Sequence, residues 1–304
     1  MSSPAAVREA TPRARGQVGW NLVEGEAITP ELTAVRLLGG GAAYEAYLAF
    51  DEVTYSPVVV KLVRPDQVED ASTLRGLRRE AHALAEVNHP VVVRGLRHEA
   101  EGERPHLVLE HVDGPRLSSL IRRHGPLTPQ QYLPLAIDVA ASLHYLSRLG
   151  WTHLDIKPSN IIMGSPARLI DLSVARPVAD AERLTVPIGT DAYLSPEQAD
   201  PGRAGLPGTA SDIWGLGATL FHAVSGRRPF DEGDLDSDDP ARRHPQLDTA
   251  PAHLPDQVPG DVAEVIGAML SRDPADRPLP AEVAEALAPV LARQPVGRLT
   301  FKVR

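Results

Sequence analysis

The stretch Trp151–Asp171, WTHLDIKPSNIIMGSPARLID, constrains this chain most. Asp155, Lys157 and Asn160 crowd into one short polar loop, and Ile161-Ile162-Met163 follows at once. Arg168 to Leu172 reads as another short strand, with Asp171 near its end. A polar loop between apolar segments positions side chains at a cleft better than it builds a core. Taken alone, the same residues also fit a solvated turn followed by an unrelated strand-end aspartate.

The stretch resembles the catalytic and metal-binding loops of eukaryotic-like (Hanks-type) serine/threonine protein kinases of bacteria. In such kinases H-R-D-L-x-x-x-N is followed by a strand ending in D-F-G. Two departures stand out: Leu154 replaces the arginine, a non-RD loop, and Leu172-Ser173 replaces Phe-Gly. Phosphoryl transfer asks a protein mainly for positioning and charge neutralisation. The resemblance implies that Asp155 faces the attacking hydroxyl and that Lys157 stabilises charge on the transferring group. It also implies that Asn160 and Asp171 hold Mg2+, a hard cation preferring oxygen ligands, with Mn2+ as the alternative ion.

Residues 1–28 are rich in Ala, Arg, Pro, Gly and Glu without apolar periodicity, and are expected to form a flexible arm. Leu32–Leu38 then reads as a strand, Gly39-Gly40-Gly41 as a turn, and Ala42–Phe50 as a returning strand. Glycine lets backbone N–H groups approach phosphates closely, although a plain hairpin turn fits equally well. Here the chain resembles the kinase glycine-rich loop in degenerate form, with Tyr44 at the third glycine position. Val58–Val63 is a β-branched run with Lys61 inside it, and a charge in a buried strand needs a partner or a ligand. By resemblance Lys61 pairs with the nucleotide phosphates. Ser72–Val87 has helical periodicity, capped by Asp70 or Ser72. Glu80 sits where the family's helix glutamate meets that lysine. Val91–Arg97 and His106–Val112 read as two more strands. The second resembles the strand and hinge that hold adenine, with Leu109 gating the pocket and the backbone of Glu110 and Val112 on the adenine edge. Val59 and Ile162 complete the nucleotide-binding set that the resemblance implies.

Leu117–His124 reads as a short helix. Thr128-Pro129 opens a long one, with Gln131 completing a capping box and Gly150 stopping it. After Asp171 comes a polar loop, Val174–Ile188, and then GTDAYLSPEQ, Gly189–Gln198. This last segment resembles the end of the activation segment in bacterial serine/threonine kinases. It implies that Thr190 bonds Asp155 and Lys157, and that Glu197 forms a buried ion pair with Arg277. Ser211–Phe221 is apolar almost all round, so its helix is expected to be buried. By resemblance Asp212 near its start holds the catalytic-loop backbone. Asp231 to about Pro255 reads as an acidic loop, and Val262–Leu270 and Pro280–Leu291 as two closing helices.

Composition bounds the remaining classes. The chain has 304 residues, 42% hydrophobic and 23% charged, enough for one large or two small domains. Zero cysteines exclude disulfides and thiolate chemistry. A formal net charge of −9 argues against general nucleic-acid binding. No apolar run reaches transmembrane length, so a soluble, cytoplasmic protein is expected.

The reading is an α+β, two-lobed protein-kinase-like fold: a small antiparallel β-sheet lobe with one helix, and a larger, mainly helical lobe. The lobes are placed at 29–113 and 114–293, after the arm at 1–28 and before a tail at 294–304. ATP with magnesium is expected between them, with protein Ser/Thr hydroxyls as acceptors, including the chain's own. Dimerisation is left open. Two other classes remain at this point: a pseudokinase serving as a nucleotide- or partner-binding scaffold, and a small-molecule kinase. GTDAYLSPEQ argues against the latter, because by resemblance it shapes a peptide-binding surface.

Overall fold

A computed structural model describes residues 18–295; the expected arm before Val18 and the expected tail from Val296 lie outside those residues. The chain divides into two compact units. One runs to Glu86 and includes Arg94–His111; the other comprises Val87–Val93 and the chain from Val112 onward. They correspond to the sheet lobe and the helical lobe of the expected α+β kinase fold.

The first unit holds β1 (Ala27–Thr29), β2 (Leu32–Gly40), β3 (Tyr44–Asp51), β4 (Ser56–Val63), α1 (Ala71–Glu86), β5 (Gly95–Glu99) and β6 (His106–Glu110). The strands form one antiparallel sheet in the order β1-β2-β3-β4-β6-β5. Burial alternates along β3 and through the middle of β4, as a sheet with one face in a core requires. Leu32, Ala34, Tyr47, Ala49, Val58, Val60, Leu62 and Val108 make that core, and Trp20 and Leu22 pack onto it. Residues 18–28, expected to belong to the arm, are thus docked from Val18. Trp20 Nε1 donates to the Val63 carbonyl at 2.7 Å, its backbone N–H donates to Glu45 Oε2 at 3.0 Å, and the Arg104 guanidinium lies 4.8 Å from its ring centroid. Two isolated apolar residues give no period in a sequence, yet they find a ready apolar surface here.

Charge inside this unit is paired. Glu45 and Arg64, both buried, lie 3.2 Å apart. Arg64 Nε also donates to the Gly41 carbonyl at 2.7 Å, and Nη1 to the Val18 carbonyl at 3.1 Å. Asp51, fully buried, accepts from both terminal nitrogens of Arg97 at 2.8 and 2.5 Å. The Arg97 guanidinium holds the Asp51 carboxyl well below the usual carboxylate range. A depressed folded-state pKa adds stability that is present above the unfolded value, about 3.9, and is lost as pH falls below it. Asp51→Asn should therefore cost about 2 kcal/mol at neutral pH, because hydrogen bonds to a charged group are lost. Denaturant titrations across pH should show the gap from wild type closing as pH falls below about 4.

α1 is capped by Asp70, whose Oδ1 accepts the Thr73 N–H at 2.7 Å. Leu77, Ala81 and Leu84 form its inner face. The strand expected over Val91–Arg97 begins instead at Gly95. Val91, Val92 and Val93 are buried in the second unit, where the Leu169 N–H donates to the Val91 carbonyl and the Val93 N–H donates to the Leu169 carbonyl. An apolar run satisfies either a strand or such a buried bridge, so periodicity alone does not separate them.

The second unit continues with α2 (Leu117–His124), α3 (Pro129–Arg148), β7 (Trp151–Thr152), β8 (Ile161–Ile162), β9 (Arg168–Leu169), β10 (Arg176–Pro177) and α4 (Val178–Ala181). It closes with α5 (Pro196–Ala199), α6 (Thr209–Ser225), α7 (Pro240–Arg243), α8 (Gly260–Met269) and α9 (Pro280–Ala292). β7 pairs with β10 and β8 with β9, both antiparallel. α3 starts at Pro129 behind its capping box of Thr128 and Gln131, and packs on α6 and α9. α6 is buried from Ser211 to Phe221 and is the unit's centre. Among the described residues no helix is long and apolar enough to cross a membrane.

Candidate active site

In the first unit, β4 and α1 bring Lys61 and Glu80 together. Lys61 Nζ lies 2.6 Å from Glu80 Oε2, and the Glu80 side chain is 1% exposed. An acid buried that deeply needs a cation beside it, which a surface helix glutamate does not. The alternation that buries Val58, Val60 and Leu62 leaves Val59 and Lys61 on the opposite face of β4. Val59 sits opposite Leu109 in the β4–β6 register. The Glu110 N–H donates to the Arg94 carbonyl, so that N–H is not open to a ligand. The glycine turn closes with the Gly41 N–H donating to the Tyr44 carbonyl at 3.0 Å.

In the second unit, the loop after β7 is held from beneath. Asp212, near the start of α6, accepts from Thr152 Oγ1 at 2.8 Å and from the backbone N–H groups of His153 and Leu154 at 2.8 and 2.7 Å. Burial pushes the Asp212 carboxyl up, and these donors work against that shift. The clamp holds Leu154 at φ +63°, a left-handed conformation that costs an L-residue about 1–2 kcal/mol. Gly189 crosses close to this turn: a Cβ there would meet the Leu154 carbonyl at 2.7 Å, and its φ is +118°. Gln198 Nε2 donates to the Leu154 and Ile188 carbonyls, tying the two segments together.

Asp155 follows on this support. Its carboxylate accepts from Lys157 Nζ at 2.6 Å, Thr190 Oγ1 at 2.7 Å and Asn160 Nδ2 at 3.0 Å. Lys157 Nζ also donates to Thr190 Oγ1 at 2.5 Å. Asn160 Nδ2 bonds the Asp155 carbonyl as well, which leaves the amide oxygen as this side chain's donor for a hard cation. The β8–β9 hairpin returns Asp171 to the Asn160 end, with the Ile170 N–H donating to the Asn160 carbonyl at 2.8 Å. Among the described residues there is no cluster of three or more His, Cys, Asp or Glu arranged for a metal. One amide oxygen and one carboxylate suit a magnesium ion that completes its shell with water and phosphate oxygens.

Two anchors of the segment after Gly189 went unassigned in the sequence. The Tyr193 hydroxyl lies 2.8 Å from His222 Nδ1 on α6, and burial raises the phenol's pKa while lowering the imidazole's. Both shifts favour the neutral forms. Gln246 Nε2 donates to the Asp191 and Leu194 carbonyls. Neither pairing leaves a local sequence signal. Gln198 did have one, the Ser195–Gln198 capping box inside GTDAYLSPEQ.

Residues 32–287 match the protein kinase domain, and the chain belongs to that family. Its relatives are serine/threonine-protein kinases of bacteria. It is 35% identical to serine/threonine-protein kinase PknB of Mycobacterium leprae over 203 residues, 64% of this chain and 32% of that protein. It is 31% identical to PknB of Mycobacterium tuberculosis over 255 residues, 79% of this chain and 40% of that protein. Serine/threonine-protein kinase PrkC of Bacillus subtilis is 32% identical over 259 residues, 83% of this chain and 39% of PrkC. The chain thus spans about a third to two fifths of the length of these relatives.

Proposed function

We propose that this chain is a serine/threonine protein kinase that transfers the γ-phosphoryl group of ATP to Ser or Thr hydroxyls of proteins, itself included. The observation that carries the reading is Asp155, one carboxylate held by Lys157, Thr190 and Asn160 on a loop whose His153 and Leu154 backbone rests on Asp212. A carboxylate so fixed can orient an incoming hydroxyl and take its proton. Lys157 supplies positive charge beside it for the phosphoryl group in flight. Lys61, steadied by Glu80, would pair with the nucleotide phosphates. Asn160 and Asp171 would hold magnesium, which when bound neutralises phosphate charge. Gly39, Gly40, Gly41, Val59, Leu109, Glu110, Val112 and Ile162 would bind the nucleotide. The serine/threonine kinases among the relatives and the match over residues 32–287 support the reading.

The test is transfer of labelled phosphate from ATP with Mg2+ to a generic basic protein and to the chain itself. Phosphoserine and phosphothreonine are expected. Stabilisation by nucleotide with no transfer to any acceptor would overturn the reading in favour of a nucleotide-binding scaffold.

Thr185 is the one hydroxyl residue of the loop Val174–Ile188, where the resemblance places a phosphosite, and activity should not depend on a phosphate there. Where RD kinases carry an arginine that pairs with such a phosphate, this chain buries Leu154. Thr185 itself is exposed. Thr185→Ala should keep its rate within about twofold of wild type, and a loss of roughly tenfold or more would refute this.

A further inference from the structure

Tyr44 stands where kinase glycine loops carry their third glycine, and the structure gives it partners that a glycine could not have. Its hydroxyl donates to the Thr73 carbonyl, in the first turn of α1, at 2.8 Å. Its ring lies 4.8 Å, centroid to ammonium, from Lys61 Nζ. α1 has a matching vacancy at Gly76, in its interior, where glycine disfavours a helix. A Cβ on Gly76 would come within 3.1 Å of the Tyr44 hydroxyl. A bulky residue in the turn and a missing side chain on the helix it reaches are complementary changes.

From this complementarity we propose that Tyr44 is a positioning residue: it latches α1 to the glycine turn and so keeps Glu80 on Lys61. The proposal rests on the kinase reading above for its effect on rate, but not for the latch itself. α1 carries Glu80, β4 carries Lys61, and β3, which begins at Tyr44, pairs with β4 along its whole length. A bond from the first residue of β3 to the first turn of α1 therefore closes a ring through the Lys61–Glu80 pair. The cation–π contact is a second hold on the lysine. With Leu154 in place of an arginine, an ordering contact within this unit supplies what a phosphate on the activation segment supplies elsewhere.

Tyr44→Phe removes the hydroxyl and keeps the ring. Two readouts are needed: amide hydrogen exchange along α1, at Leu77 above all, and kcat against KM for ATP. Loss of one hydrogen bond should raise exchange in the first turns of α1 and lower kcat, each by roughly three- to tenfold, with KM for ATP within about twofold. The melting temperature of the whole chain should stay close to wild type. Gly76→Ala should reproduce the loss in the wild-type background. In the Tyr44→Phe background it should instead protect α1, because alanine favours a helix and no hydroxyl remains to displace. Unchanged exchange in Tyr44→Phe overturns the latch. Raised exchange with unchanged kcat in an active kinase overturns the positioning role. If the wild-type chain transfers no phosphate at all, the kinase reading fails, and exchange alone still decides whether Tyr44 holds α1.

Discussion

Asp155→Asn should lower phosphate transfer by about 10²–10⁴-fold, the range expected when a positioned general base is removed. The change is nearly isosteric, so the loop should survive it. Asp212 would still hold the backbone of His153 and Leu154, and Gln198 would still bond the Leu154 carbonyl. What changes is the polarity of one group. Lys157, Thr190 and Asn160 all donate to the Asp155 carboxylate, and an amide can turn only one oxygen toward them. It also cannot accept the proton of a substrate hydroxyl. Nucleotide binding should persist, because the residues proposed for it lie elsewhere. The decisive pair of measurements is labelled-phosphate transfer and the rise in melting temperature with ATP and Mg2+. A variant that keeps the thermal rise and loses transfer fits the assignment. One that retains more than about a tenth of the wild-type rate would take the role away from Asp155.

The second large effect concerns stability rather than rate. Arg277→Met should cost about 3–5 kcal/mol, the usual penalty for removing one partner of a buried ion pair. Arg277 and Glu197 are both completely buried and joined by two bonds, at 2.6 and 2.9 Å. The guanidinium has five N–H donors, and every one is placed. The other three go to the carbonyls of Ser271, Ala210 and Arg272. The group also stacks 5.0 Å from the Trp214 ring centroid. Methionine fills similar volume but leaves three carbonyls and a carboxylate without these donors; Ser211 still serves Glu197 Oε1. For a unit of this size the loss should lower the melting temperature by about 10 °C. A fall of less than about 3 °C would mean that water or a rearranged side chain replaces the pair.

Legibility in the sequence followed the range of each constraint. Asp155, Lys157 and Asn160 were readable because a polar triplet between apolar runs is a local anomaly. Lys61 was readable because a lysine inside a β-branched run demands an explanation, and Glu80 became specific only beside it. Glu197 and Arg277, far apart in the chain, were tied by resemblance to the kinase pattern and not by spacing. The rest was hidden for physical reasons. Trp20 looked like part of a polar arm because docking onto an existing core needs no periodicity. Val91–Val93 satisfied the signature of a strand while serving as a buried bridge to Leu169. Tyr44 read as a defect in the glycine loop, because the vacancy at Gly76 that receives it shows only once the chain is folded.

The Arg64 guanidinium, which serves the Val18 carbonyl, Glu45 and the Gly41 carbonyl together, has a consequence for signalling along the chain. Order in the residues that lead into the sheet and order in the turn proposed to cover the phosphates draw on the same few donors. By thermodynamic linkage the influence is reciprocal. Whatever pulls Val18–Trp20 off the sheet loosens the glycine turn, and whatever stiffens that turn tightens the grip on the incoming chain. Tension or release arriving from the N-terminal side would thus be felt in the glycine turn.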